Sequence, residues 1–163
     1  MDGIVPTPPE LARGRDREAL TGDWTAVNHE MMPKVPSETP VPTHRVLVAE
    51  DDATTRRLIE FKLRREGFAV ESLSNGEDLL ARAGATPPAL VILDLMMPVK
   101  DGYSTLRALR TDTRTATVPV LVLSGRSDDV DIVRCLEAGA NDYMVKPFSP
   151  EELVARVRRL LAP

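Results

Sequence analysis

Leu90-Val91-Ile92-Leu93-Asp94 decides the fold: four consecutive large apolar side chains, then a carboxylate with no transition. A strand with one face in water alternates apolar and polar residues. An unbroken apolar run is what a parallel strand needs when helices cover both faces of its sheet. The design recurs three times along the chain. Val46-Leu47-Val48 leads through Ala49 into Glu50-Asp51-Asp52, Val120-Leu121-Val122-Leu123 into Ser124, and Tyr143-Met144-Val145 into Lys146. In open α/β sheets the functional crevice lies at the carboxyl ends of the strands. An acidic cluster, a lone carboxylate, a hydroxyl and an ammonium are therefore expected on one rim.

Helix-like patterns alternate with these runs. Strands are predicted near 45–49, 68–73, 89–94, 120–124 and 142–146, and helices near 53–66, 76–83, 103–110, 128–138 and 150–161. The first helix is read with Leu58, Phe61 and Leu63 on one side, and Gly67 and Gly139 stand where helices should stop. Ser149-Pro150-Glu151-Glu152 is a helix start: a capping hydroxyl, proline at the first position, then acids in the first turn. Five such units predict an α/β, flavodoxin-like, doubly wound five-stranded parallel sheet of order 2-1-3-4-5 with five helices. Its switch point lies between the first and third strands, where Glu50-Asp51 would face Asp94.

Residues 1–43 differ in kind. They hold seven of the 14 prolines and, with four basic and seven acidic residues, three of the four net negative charges. Such a segment has little to bury and is expected to be a disordered or extended N-terminal tail, with residues 44–163 forming the folded domain. A transient helix from Glu10 to about Met32 contains Trp24, so Trp24 and Met31-Met32 are alternatively anchors of a docking segment. Met31 or Met32 is also an alternative translation start.

Composition sets outer limits. A net charge of −4 argues against a broad nucleic-acid footprint, so no direct DNA binding is expected. The single cysteine, Cys135, rules out an intramolecular disulfide and reads as a core residue. No apolar run approaches the roughly 18 residues of a membrane span, and the N-terminus lacks a secretory layout. No membrane association and a cytoplasmic location are expected.

The rim residues suggest a chemistry. Glu50, Asp51 and Asp94 would gather negative charge that a cation must offset. Hard oxygen ligands in a small open site suit Mg²⁺; calcium would also take oxygen, but no EF-hand loop is present. Asp52 reads as a helix cap. Lys146 is a counter-ion for Asp94 and could pair with an incoming phosphoryl group, while Ser124 offers a hydroxyl donor. Asp94, already ionised at neutral pH, would be the nucleophile of an aspartyl-phosphate reaction. Lys146-Pro147 permits a cis peptide, an ordinary strand-ending turn being the alternative.

Residues 45–161 resemble the response-regulator receiver domain of two-component signalling, of the stand-alone single-domain type. The matching segments are Val46 to Asp52, Leu93-Asp94-Leu95-Met96-Met97-Pro98 with Asp101-Gly102, Leu123-Ser124-Gly125, and Asp142 to Phe148. Their order and spacing span the whole domain. The resemblance implies that Asp94 is the phospho-acceptor and that Glu50 and Asp51 bind Mg²⁺ together with Asp94 and the backbone carbonyl of Met96. It also implies that Ser124 and Tyr143 form the switch and that Lys146 is the family's lysine. The donor would be a histidine kinase or histidine phosphotransfer protein. The chain would catalyse its own phosphorylation and autodephosphorylation, and a phosphorylation-dependent dimer fits the same picture.

The chain ends at Pro163, just after the last predicted helix, and on that ground no output domain is expected. The fourth helix, with Asp128, Asp129, Asp131 and Glu137, reads as acidic; the last, with Arg156, Arg158 and Arg159, as basic. Both are either solvated faces or docking surfaces. Arg126 could slow the approach of water to the phosphorylated site. The rival reading is a pseudo-receiver, a protein–protein interaction module without phosphorylation. It predicts gaps at Glu50, Asp51, Asp94 or Lys146, and there are none. A flavin site would not place Glu50-Asp51-Asp52 against an anionic cofactor. A hydrolase working through an aspartyl phosphate would want a second acid at position 96, where Met96 stands.

Overall fold

The computed structural model describes residues 44–97, 100–125 and 129–163. The tail with Trp24 and Met31-Met32, and Pro98, Arg126 and Asp128, lie outside them. The elements run β1 (Arg45–Ala49), α1 (Ala53–Arg65), β2 (Ala69–Leu73), α2 (Gly76–Ala85), β3 (Leu90–Asp94), α3 (Gly102–Thr111), β4 (Val120–Ser124), α4 (Asp129–Glu137), β5 (Asp142–Val145) and α5 (Pro150–Leu161). All neighbouring strands are parallel, in the order β2-β1-β3-β4-β5. This is the flavodoxin-like arrangement expected from the apolar runs.

The sheet buries both faces, and alternation along each strand divides its residues between two cores. Leu47, Val91, Leu93 and Val122 meet Leu79, Ala83, Leu106, Leu109 and Cys135 on the side of α2, α3 and α4. Val46, Val48, Ile92 and Leu121 meet Ile59, Leu63, Leu153 and Val157 on the side of α1 and α5. An unbroken apolar run is thus two interleaved half-runs, each with its own helical layer. Among the described residues, side-chain caps open four helices: Asp52 accepts from the Thr55 N–H at 2.7 Å, Asn75 from Asp78 at 2.9 Å, Asp101 from Ser104 at 2.9 Å and Ser149 from Glu152 at 3.0 Å. Gly67 (φ 89°) and Gly139 (φ 102°) close α1 and α4 in the left-handed region.

The buried face of α1 differs from the one expected. Ile59 and Leu63, one turn apart, are fully buried, whereas Leu58 is 43% and Phe61 60% exposed. The core-facing stripe follows i, i+4, and Leu58 and Phe61 fall beside it, where Arg65 lies over the Phe61 ring. Ile59→Ala should therefore cost about 2–5 kcal/mol. Leu58→Ala should change stability by under about 0.5 kcal/mol. Urea titration of both variants reads the contrast, and equal losses would reject this assignment of the helix face.

The charged helices keep part of the open faces anticipated, with Glu137 of α4 and Arg158 and Arg159 of α5 exposed. Asp131 is buried. On α5, Arg156 reaches Asp142 at 2.9 Å and Glu152 at 2.7 Å, Arg159 reaches Asp142 at 2.6 Å, and Arg158 reaches Glu66 at 2.5 Å. The basic residues of α5 are thus ion-paired within the domain while Arg158 and Arg159 remain open to solvent.

β2 is an edge strand. The Ala69 N–H donates to the His44 carbonyl and Leu73 accepts from the Glu50 N–H, so the backbone of the alternate residues, Val70 and Ser72, faces outward. Side chains of α1 reach over this edge: Arg64 donates to the Val70 carbonyl at 3.0 Å, and the Ser72 hydroxyl donates to Glu60 at 2.8 Å.

Candidate functional site

The register of the sheet builds the site. Ala49 pairs with Leu93 across β1 and β3, so the residues that follow, Glu50 and Asp94, leave the sheet side by side. Ser124 pairs with Val145, and the Lys146 N–H donates to the Ser124 carbonyl at 2.8 Å, which brings Lys146 to the same rim. The Lys146-Pro147 peptide is cis.

Glu50 and Asp94 are buried, and one ammonium bridges them. Lys146 Nζ lies 2.6 Å from Glu50 Oε2 and 3.0 Å from Asp94 Oδ2. The other oxygen of each carboxylate accepts from backbone: Glu50 Oε1 from the Asp52 N–H at 3.1 Å, and Asp94 Oδ1 from the Met96 N–H at 3.0 Å. Burial pushes the Glu50 carboxyl above its ordinary range; the Lys146 hydrogen bond opposes this and the charge of Asp94 adds to it. Burial alone would lower Lys146, but its hydrogen bonds to Glu50 and Asp94 outweigh that and hold the ammonium above its ordinary value. The sequence suggested Lys146 as partner of Asp94. The contact with Glu50 is the shorter of the two and was not foreseen.

Asp51 is exposed and completes the cluster, with one carboxylate oxygen from each of Glu50, Asp51 and Asp94 within 4.8 Å of one another. Three hard oxygen donors around an opening to solvent fit a small divalent cation that keeps part of its water shell. Asp52 stands apart as the cap of α1, its carboxyl held below the ordinary range by the Thr55 N–H. Ser124 is fully buried at the end of β4, and the Tyr143 ring is buried in the core beneath α4. Met96 is exposed, two residues beyond Asp94.

One contributor, Arg56, escaped sequence reasoning, and a second, Gly102, was quoted only within a matching segment and given no role. Arg56, in α1, donates to the carbonyls of Glu50 at 2.7 Å and Asp51 at 3.2 Å. Gly102, the first residue of α3, donates its N–H to the Leu95 carbonyl at 3.1 Å. A methyl group there would lie 2.5 Å from both the Asp94 carbonyl oxygen and Leu95 Cα.

A family model described as the response regulator receiver domain matches residues 46–158. The transcriptional regulatory protein GltR of Pseudomonas aeruginosa is 44% identical over 116 residues, 71% of this chain and 48% of that protein. The DNA-binding response regulator MtrA of Mycobacterium tuberculosis is 44% identical over 117 residues, 72% of this chain and 50% of that one. Among solved structures, the receiver domain of a sensor histidine kinase from Pseudomonas aeruginosa has a magnesium ion coordinated in its active-site cleft. It is 31% identical with a TM-score of 0.68, covering 72% of this chain and 97% of that one.

These relatives correct one expectation. Direct DNA binding was excluded on net charge, yet MtrA is a DNA-binding response regulator. The chain spans about half the length of the curated relatives it matches, so the charge of this segment says nothing about what a whole protein of that kind binds. Among the described residues no helix is long and apolar enough to cross a membrane.

Proposed function

The chain belongs to the response-regulator receiver family, and from that premise we propose that Asp94 accepts a phosphoryl group from a histidine kinase or histidine phosphotransfer protein. The observation that carries this reading is the Lys146 ammonium bridging two buried carboxylates beside an exposed third. A carboxylate oxygen of Asp94 attacks phosphorus. The new P–O bond forms as the P–N bond to the donor imidazole breaks, and the imidazole leaves with the bonding pair.

Lys146 shifts part of its pairing from Asp94 to the incoming phosphoryl oxygens, and Ser124 donates to another of them. Glu50, Asp51 and Asp94 would hold Mg²⁺, with the Met96 carbonyl as a further ligand. The ion would supply electrostatic stabilisation of the phosphoryl oxygens. Phosphorylation then draws Ser124 toward the new group, and Tyr143 turns into the space released. One of two surface states is favoured as a result. Likeness to MtrA and GltR supports control of transcription as the output.

Intact-mass analysis after incubation with Mg²⁺ and acetyl phosphate tests the proposal. A single phosphate adduct is expected on the native chain, lost in Asp94→Ala and lost on chelation of the metal. Hydrogen exchange on the phosphorylated chain should change over α4 and β5, and Tyr143→Ala should suppress that change. An unmodified native chain that also fails to bind Mg²⁺ would favour the pseudo-receiver instead.

A further inference from the structure

The three clustered carboxylates are not held alike. Glu50 is fixed by Lys146 and the Asp52 N–H, and Asp94 by Lys146 and the Met96 N–H. Among the described residues, the exposed Asp51 side chain has no hydrogen-bond or ion-pair partner. Among those residues, only its own backbone and rotamer preferences set where its carboxylate points. One side chain reaches the carbonyls of two consecutive peptides of that backbone: Arg56 Nη1 donates to the Glu50 carbonyl at 2.7 Å and to the Asp51 carbonyl at 3.2 Å, and the N–H of the second peptide, that of Asp52, donates to Glu50 Oε1 at 3.1 Å. Arg56 is itself seated by the capped first turn of α1, where its N–H donates to the Asp52 carbonyl at 2.9 Å.

We propose that Arg56 is a positioning residue for the cation site, orienting Asp51 through the two peptide carbonyls that flank it. The inference rests on the receiver reading. Pre-organisation of this kind acts by removing the cost of ordering a ligand when the cation arrives. It also sets a sign. A guanidinium acting only as a nearby positive charge would repel Mg²⁺, so its removal would tighten binding. A guanidinium acting as a clamp gives the opposite result, because its removal frees Asp51 to sample orientations away from the site.

Calorimetric titration of the full chain with MgCl₂ separates the two. Arg56→Met, which keeps the aliphatic stem and removes every donor, is expected to weaken Mg²⁺ binding about fivefold or more. Arg56→Lys, which restores one donor group, is expected to recover at least half of that loss on a logarithmic scale. Thermal melts in EDTA check that both variants fold, and Arg56→Lys carries the comparison should Arg56→Met prove unstable. Unchanged or tighter binding in Arg56→Met, or equal loss in both variants, would overturn the proposal. Failure of the native chain to bind Mg²⁺ would instead overturn the receiver reading on which it rests.

Discussion

Lys146→Met is expected to lower the rate of phosphorylation by acetyl phosphate about 100- to 1000-fold, the usual loss when a charged or hydrogen-bonding stabiliser of the transition state is removed. The same substitution should move two other measurements. Glu50 and Asp94 would be left buried without their shared counter-ion, and breaking a buried pair in this way costs about 3–5 kcal/mol when the remaining charge stays ionised. Proton uptake limits that cost, because the Glu50 carboxyl already lies above its ordinary range.

The sign of the pH effect follows from linkage. A carboxyl whose pKa is higher in the folded state binds more protons when folded, so stability is greatest at low pH. Stability is lost as pH rises from the unfolded value, near 4.5 for Glu50, through the raised folded value. Lys146→Met should deepen that loss, so its melting temperature at pH 5 should exceed that at pH 8 by more than in the native chain. Mg²⁺ should bind the variant more tightly, since the cation no longer competes with the ammonium for two carboxylates. A variant that keeps native phosphorylation rates, or binds Mg²⁺ more weakly, would refute this account of the site.

The second large effect comes from a residue with no side chain. Gly102→Ala places a methyl group 2.5 Å from the Asp94 carbonyl oxygen and from Leu95 Cα. Both are backbone atoms that no rotamer change can move. The loop carrying Asp94 must therefore shift away from α3 or the helix must start later. Overpacking of this sort costs about 1–3 kcal/mol. Displacement of a reacting group by about 1 Å lowers rates by up to roughly 100-fold. A loss of at least tenfold in the acetyl phosphate reaction is expected, with native far-ultraviolet circular dichroism retained. Unaltered kinetics would mean that the junction yields without disturbing Asp94.

The parts legible in the sequence were those in which one residue's environment is fixed by its neighbours along the chain. β1, β3 and β4 are apolar on both faces, so their runs stand out. β2 does not, because as an edge strand it buries only Val70, its other residues being half-buried. Glu50, Asp94, Ser124 and Lys146 could be placed on one rim because each directly follows or ends such a run, and Asp51 because it is the next residue after Glu50.

What stayed illegible depends on distances through space. The face of α1 reads in the sequence as Leu58, Phe61 and Leu63 but runs through Ile59 and Leu63, because the stripes overlap and only the sheet decides which of them it covers. The Arg56 clamp and the preference of Lys146 for Glu50 involve side chains reaching peptides or acids from other elements. The crowding at Gly102 needs the approach of α3 to the end of β3.

The outward edge of β2 has a colloidal consequence. An open strand edge is a template onto which another chain can add, and aggregates grow from such ends. Here the outward carbonyl of Val70 is held by Arg64 and the Ser72 hydroxyl by Glu60. An incoming strand would have to displace the Arg64 guanidinium before pairing with the Val70 carbonyl, and would meet the polar Ser72–Glu60 pair beside it. These two polar contacts therefore favour solubility of the folded domain at high concentration, on the flank of the sheet farthest from β5.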